Sequence, residues 1–212
     1  MTSFILALIF GIAHATLQSG SPAPNFSAKG SDGKTYTLSE LKGKTVVLEW
    51  FNKDCPYVKK YYDSHAMQKL QADATAKGVV WLTVASSAIG KEGFVDLAAA
   101  QKVRSDKGMA STALLMDSKG EVAKAFSAKT TPHMFVIDKK GLIAYQGAID
   151  DQPSANPKSL DHAQNYVTAA LMSVEKGEPV AMSSTPNPSR AKRKSPLTLA
   201  PIATSQSPVP RP

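Results

Sequence analysis

The sequence predicts an α/β fold in which helices flank a central mixed β-sheet. Apolar strand-like segments alternate with helical segments in βαβαβ order, and two further strands follow, joined as a hairpin. The 212 residues are 42% hydrophobic, which is enough to bury one core. These observations favour one folded domain with an extension at each end.

Each predicted element follows from the hydrophobic pattern. Runs rich in β-branched and aromatic residues predict strands near residues 45–51, 79–86, 112–117, 133–138 and 142–148. Helices are expected between the first three strands. The Asp-Lys-Lys-Gly sequence at residues 138–141 predicts the hairpin turn. A final helix, about residues 159–176, has one apolar face and ends at Gly177.

The predicted domain covers residues 16–178 and follows a predicted signal peptide at residues 1–15. Residues 4–10 form an apolar run that is too short to span a bilayer, and residues 13–15 (Ala-His-Ala) fit the small-x-small pattern of a cleavage site. No Lys or Arg precedes the apolar run, so an uncleaved N-terminal segment stays open. We expect a secreted or periplasmic protein, in an oxidising compartment.

Residues 179–212 are predicted to form a disordered, basic, Pro/Ser-rich tail. The tail has no acidic residue and supplies much of the formal net charge of +8. Its cations are Arg190, Lys192, Arg193, Lys194 and Arg211. The short basic cluster has no aromatic residues beside it, so no specific nucleic-acid partner is expected.

The single cysteine, Cys55, lies where an apolar strand gives way to Pro56 and a helical run. Proline is favoured at the first helical position, so the thiol is expected at a helix N-terminus, where unpaired N–H groups and the helix dipole favour thiolate. Asp54 opposes this effect. Three nearby cations act with it: Lys53, Lys59 and Lys60. The alternative is that Cys55 is simply a small buried hydrophobic residue.

Two separated motifs give this chain a resemblance to a known family. Residues 46–58 (VVLEWFNKDCPYV) resemble the strand-to-helix active-site segment of thioredoxin-fold redoxins, and more narrowly of the peroxiredoxin-like alkyl hydroperoxide reductase/thiol-specific antioxidant (AhpC/TSA) family. Residues 129–138 (KTTPHMFVID) resemble the cis-proline loop of that fold and its following strand. With residues 22–26 (PAPNF), the similarity runs from about residue 21 to 177. The resemblance implies a thioredoxin-like fold.

The departures from the family pattern limit the chemistry. Val58 stands where thioredoxins have their second cysteine, so no intramolecular CxxC disulfide can form. Leu48 and Asn52 stand where peroxiredoxins have a proline and a threonine or serine, which weakens the case for peroxidase chemistry. Relatives often carry another cysteine beyond the last helix, whereas this tail has none.

The resemblance also implies two catalytic residues, Cys55 and Glu49. Glu49 lies six residues before Cys55, at the position of the buried acid below the reactive thiol. A buried carboxyl group has a raised pKa and could move a proton as a thiol or mixed disulfide reacts. The alternative is that Glu49 faces a polar edge or pairs with a lysine.

Four residues are implied as substrate-binding: Asn52, Pro56, Thr131 and Pro132. Pro132 is expected to follow a cis peptide bond, because cis bonds are almost confined to X-Pro pairs in tight turns. Thr131, before it, would offer its backbone to an extended substrate that faces Cys55. The alternative is an ordinary trans loop proline.

Neither a metal nor a cofactor is predicted. The four histidines are His14, His65, His133 and His162. They fall on different elements without metal-ligand spacing, and only His133 lies near the site by motif.

The sequence therefore predicts a single-cysteine redoxin. The Cys55 thiolate would attack a hydroperoxide or a protein disulfide, and a small-molecule or protein thiol would act as the external reductant. The oligomeric state stays open. The competing hypothesis is a non-catalytic thioredoxin-fold module that binds extended peptides in the groove at Thr131 and Pro132.

Overall fold

The computed structural model describes residues 17–186. The predicted signal peptide at residues 1–15 therefore lies outside the described residues, as does the tail beyond residue 186. Among the helices of residues 17–186, none combines the length and the apolar character that a membrane crossing needs.

Seven strands form one mixed sheet. In chain order they are β1 (Ser27–Gly30), β2 (Thr35–Thr37), β3 (Val46–Trp50), β4 (Val80–Ala85), β5 (Ala113–Met116), β6 (His133–Ile137) and β7 (Ile143–Gly147). Their order in the sheet is β2-β1-β5-β4-β3-β6-β7. Strands β3, β4 and β5 are parallel, whereas β6 and β7 form the expected antiparallel hairpin. The predicted α/β class with a mixed sheet is confirmed.

The five predicted strands are present, but the hairpin of β1 and β2 was not predicted. These strands have only four and three residues, and neither has the apolar run that marks a buried strand. They complete the sheet because β1 pairs antiparallel with β5.

Helices cover both faces of the sheet. They are α1 (Pro56–Asp63), α2 (Ala66–Ala76), α3 (Leu97–Asp106), α4 (Glu121–Ala125) and α5 (Tyr166–Lys176), with 3-10 helices at Leu38–Leu41 and Pro157–His162. Their packing produces two hydrophobic clusters, one on each face. Neighbouring residues of β3 alternate between them: Val47 belongs to the first cluster and Leu48 to the second.

The structure divides one helical segment in two and shortens the predicted last helix. The helical run after Cys55 is interrupted at His65, whose φ of 61° is left-handed and separates α1 from α2. The last helix begins at Tyr166 rather than near residue 159. Asn165 caps it by accepting a hydrogen bond from the Thr168 N–H at 2.9 Å, and the residues before it include a separate 3-10 helix.

Segments near both ends of the described chain pair with the edge strand β7. Gly20 N–H donates to Ile143 O at 2.7 Å, and Ser184 forms a parallel bridge with Gln146. Val180 packs against the core. The packed chain thus continues beyond residue 178, where the predicted domain ends.

Candidate active site

Cys55 lies immediately before α1, as its neighbours predict. Strand β3 ends at Trp50, a short loop follows, and Cys55 is the extended N-cap residue (φ −68°, ψ 124°) with Pro56 at the start of the helix. Cys55 is partly exposed, and it packs against the first hydrophobic cluster. The Cys55 side chain makes no capping hydrogen bond to the first helical turn, so any effect of α1 on the thiol acts through the helix dipole.

Thr131 and Pro132 lie against the cysteine. Cys55 Sγ donates a hydrogen bond to Thr131 O at 3.2 Å, although the two residues are 76 positions apart. The Thr131–Pro132 peptide bond is cis, as predicted. The sulfur and the backbone of the cis-proline loop therefore share one surface.

Asn52 organises the loop that leads to the cysteine. Its Oδ1 accepts a hydrogen bond from the Asp54 N–H at 2.9 Å, and its carbonyl accepts one from the Cys55 N–H at 3.1 Å. Gly93 packs so closely on Asn52 that a Cβ there would lie 2.5 Å from Asn52 Oδ1. Asn52 thus holds the loop in shape, and its side chain borders the cavity described below.

The charges around Cys55 differ from the expectation at one position. Lys53 pairs with Asp54 at 2.7 Å, and this hydrogen bond lowers the Asp54 pKa. Lys60 is buried instead of facing the thiol, and its Nζ lies 3.5 Å from Asp150 Oδ2. Because a buried acid balances its charge, Lys60 does not supply the free positive charge that was expected beside the sulfur.

Glu49 is fully buried on the face of the sheet that carries α1 and α2. Four side chains donate to its carboxylate, at 2.8 to 3.2 Å: Tyr62, Gln71, Trp81 and Thr83. Burial nevertheless raises the Glu49 pKa. The carboxylate therefore neither faces a polar edge nor pairs with a lysine. Within residues 17–186 it makes no hydrogen bond to Cys55.

His133 points to the opposite face from Glu49. In the register of β3 and β6, Trp50 pairs with His133 and Glu49 pairs with Met134. The His133 ring lies 4.6 Å from that of Phe135, and burial lowers the His133 pKa to about 4. His133 therefore belongs to an aromatic cluster and is not brought to Cys55. Among residues 17–186, no three His, Cys, Asp or Glu side chains form a group that could hold a metal ion.

A cavity of about 240 Å³ lies beside the cis-proline loop. Asn52 and Thr131 line this cavity together with three residues for which no role was predicted: Ser86, Ser87 and Lys129. Trp50 Nε1 donates to Ser86 Oγ, which in turn donates to Asp117 Oδ2. The position of Ser86 could have been predicted from sequence. It directly follows β4, and the carboxyl ends of the parallel strands β3 and β4 must lie at the same edge of the sheet.

Comparison with known proteins gives relatives of two kinds. The chain is 32% identical over 147 residues to the chloroplastic peroxiredoxin Q of Triticum aestivum, covering 64% of this chain and 61% of that protein. It is 27% identical over 128 residues to the thiol-disulfide oxidoreductase ResA of Bacillus subtilis, covering 60% and 66%. The matches thus span less than two thirds of the length of either relative.

The fold agrees with these matches. An uncharacterized conserved protein of Geobacillus kaustophilus superposes with a TM-score of 0.68 at 26% identity, over 79% of this chain and 89% of that one. Residues 19–146 match the sequence model of the AhpC/TSA family. The chain, with its thioredoxin-like fold, therefore belongs to the AhpC/TSA family.

Proposed function

We propose that this protein is a thiol oxidoreductase in which Cys55 exchanges with disulfides and an external thiol completes the reaction. One observation carries the proposal. Cys55 is partly exposed, and its Sγ lies at the start of α1 and 3.2 Å from the carbonyl of Thr131, beside the cis-proline loop. That position puts the sulfur at the positive end of the α1 helix dipole, which favours the thiolate, and beside a backbone edge that can hold a substrate.

The exchange proceeds in two steps without net loss of electrons from the protein. The Cys55 thiolate attacks one sulfur of a disulfide, the old S–S bond breaks, and the leaving thiolate takes a proton from solvent. An external thiolate then attacks the substrate's sulfur in the mixed disulfide, the bond between that sulfur and Cys55 Sγ breaks, and Cys55 leaves as a thiolate. An external thiol is needed because Cys55 is the only cysteine of the chain.

Substrate binding is assigned to the backbone and side chains around the cysteine. An extended peptide would pair with the Thr131 backbone, with Pro132 and Pro56 shaping the groove and Asn52 holding the loop. A module that only binds peptides would use the same groove. The relatives of this chain, a peroxiredoxin and a thiol-disulfide oxidoreductase, favour a catalytic role over peptide binding alone.

Glu49 is proposed as a proton acceptor for the resolving thiol, although its buried carboxylate makes no hydrogen bond to Cys55 within residues 17–186. Its raised pKa brings its proton exchange closer to neutral pH than that of an exposed carboxyl group. Glu49→Gln is a suitable test variant, because glutamine can keep the hydrogen bonds of the site. Its oxygen can accept from Gln71, Trp81 and Thr83, while its amide donates to the Tyr62 hydroxyl.

Peroxide reduction is the second candidate, favoured by membership of the AhpC/TSA family and by the peroxiredoxin Q relative. The Cys55 thiolate would attack one peroxide oxygen, the O–O bond would break, and the alcohol or water would leave. The resulting sulfenic acid would need two external thiols, one to form a mixed disulfide with release of water and one to reduce it.

Intact-mass measurement tests the proposal. Reduced protein is mixed with a neutral symmetrical disulfide and then with an external thiol. We expect one half-disulfide adduct on Cys55, its release by the thiol, and no adduct in Cys55→Ser. Glu49→Gln should still form the adduct but release it at least about tenfold more slowly. A folded chain that forms no adduct, while free cysteine does, would contradict the proposal. Peroxide titration with sulfenic-acid trapping tests the second candidate.

We also propose export to an oxidising compartment, on the basis of residues 1–15.

A further inference from the structure

The cavity of about 240 Å³ beside the cis-proline loop lies next to the cysteine. Its lining includes the loop between β3 and Cys55, the start of the loop after β4, and the residues just before β6. Two of the lining residues also hold the cysteine. Thr131 O accepts from Cys55 Sγ at 3.2 Å, and Asn52 O accepts from the Cys55 N–H at 3.1 Å. A molecule bound in this cavity would therefore lie close to the reacting sulfur.

Two acidic residues near the cavity are occupied by other contacts. Asp117 is buried behind Ser86, accepts from Ser86 Oγ at 2.7 Å, and accepts from two backbone N–H groups at the start of α4. Asp54 forms an ion pair with Lys53 at 2.7 Å. Neither carboxylate is therefore placed to neutralise a cation of the cavity lining.

Lys129 gives this cavity an unneutralised positive charge. It is an exposed lining residue, and its ammonium group forms no ion pair within residues 17–186. Ser87, which is half-buried, adds a hydroxyl group to the same lining. A cation with a hydroxyl donor beside it favours an anionic group, because hydrogen bonds to a charged acceptor are the stronger ones.

The size and the apolar part of the lining indicate a small molecule. The cavity is slightly smaller than the roughly 300–1,000 Å³ that is usual for ligand pockets, so it can hold a compound but not a folded chain. Trp50, Ala123 and Ala128 also line it and can contact methylene groups.

The anionic group and the reacting sulfur can belong to one short molecule. Lys129 precedes Thr131 by two residues, so their Cα atoms are at most about 7 Å apart. Thr131 in turn contacts Cys55 Sγ. A chain of a few carbon atoms can therefore join a carboxylate at Lys129 to a sulfur at Cys55.

We propose that this cavity binds the external thiol of the proposed reaction, and that this thiol is a low-molecular-weight compound with a carboxylate. The inference rests on the proposed function and names the class of its reductant. Lys129 and Ser87 hold the carboxylate, which takes no part in bond formation. The thiolate of the bound molecule attacks the substrate's sulfur in the mixed disulfide, the bond from that sulfur to Cys55 Sγ breaks, and Cys55 leaves as a thiolate.

Two thiols of similar size test the inference on the full chain. Cys55 is first converted to its mixed disulfide with mercaptoethanol, and intact mass then follows release by 3-mercaptopropionate or by mercaptoethanol. The readout is the ratio of the two rate constants, from which the general reactivity of the mixed disulfide cancels. At low salt, Lys129→Gln should lower this ratio about fivefold, as expected for an ion pair at contact distance in water. Lys129→Arg should keep most of the ratio, and about 0.5 M salt should remove most of the difference.

Two further variants separate a subsite from general surface charge. Lys44→Gln makes the same change of charge at an exposed position just before β3, at the opposite end of that strand from Cys55, and should leave the ratio unchanged. Ser87→Ala keeps every charge and should lower the ratio about threefold. Equal ratios in Lys129→Gln and Lys44→Gln would overturn the inference, as would release by a protein dithiol but by neither small thiol. Failure of the folded chain to form any mixed disulfide would instead overturn the proposed function, and the reductant class with it.

Discussion

Glu49 on β3 and His133 on β6 lie at neighbouring positions of the β3–β6 register, and their side chains point to opposite faces of the sheet. Burial disfavours the charged form of both, so it raises the Glu49 pKa and lowers the His133 pKa to about 4. Their surroundings differ, because four donors surround the Glu49 carboxylate whereas the buried His133 Nδ1 has no hydrogen-bond partner within residues 17–186. These donors stabilise the Glu49 carboxylate, whereas protonating His133 weakens the fold.

His133 should make the protein sensitive to acid. Its folded pKa of about 4 lies below the ordinary 6.5, so the unfolded chain binds the proton more readily between these values. The stability present above pH 6.5 is therefore lost as the pH falls toward 4, by about 2–3 kcal/mol. His133→Phe, which can pack on Trp50 and Phe135, should remove this loss.

Urea unfolding at pH 7.5 and 4.5 measures the effect. The control is His65→Asn, because His65 is exposed and asparagine tolerates its left-handed φ. The prediction fails if His133→Phe and the wild-type chain lose the same free energy of unfolding between the two pH values.

At the level of elements, a buried ion pair ties α1 to the connection between β7 and α5. Lys60 Nζ lies 3.5 Å from Asp150 Oδ2, and donates to Gln152 O at 3.2 Å and Ser159 Oγ at 3.3 Å. Lys60 and Asp150 are each only 2% exposed. Removing one partner from such a pair leaves an uncompensated buried charge, which costs more than removing both.

Lys60→Met should therefore lower the free energy of unfolding by about 3–5 kcal/mol, and adding Asp150→Asn should restore most of it. Asparagine keeps the oxygen that accepts from the Gln152 N–H. Lys102→Met is the matched control, because Lys102 and Asp106 form an exposed pair on α3, and it should cost less than about 1 kcal/mol. Equal destabilisation by the single and double variants would contradict this account.

Much of the element order could be predicted from sequence. Strand β3 and the turn at residues 138–141 have strong local signals, an apolar run and an Asp-Lys-Lys-Gly turn. The break at His65 could not be predicted, because a left-handed histidine leaves no pattern in the hydrophobic periodicity. The late start of α5 could have been predicted from Asn165, which is a good N-cap residue.

At the scale of the whole molecule, sheet topology assembles the site. Strands β3 and β6 are antiparallel neighbours, so the end of one lies beside the start of the other. Cys55 follows the end of β3 and Thr131 precedes the start of β6. Sequence motifs could identify these two residues, but the burial of Lys60 depends on Asp150, which is 90 positions away. Such a long-range pairing leaves no local signal.

The most direct test of the account compares the alkylation rate of Cys55 in the folded chain with that in the same chain unfolded in urea, at pH 6.5. With one cysteine, the measurement reports a single site. The account predicts faster alkylation of the folded chain, because Cys55 is partly exposed and lies at the N-terminus of α1, where the helix dipole favours a thiolate. Folded Cys55 that reacts no faster than unfolded Cys55 would contradict it.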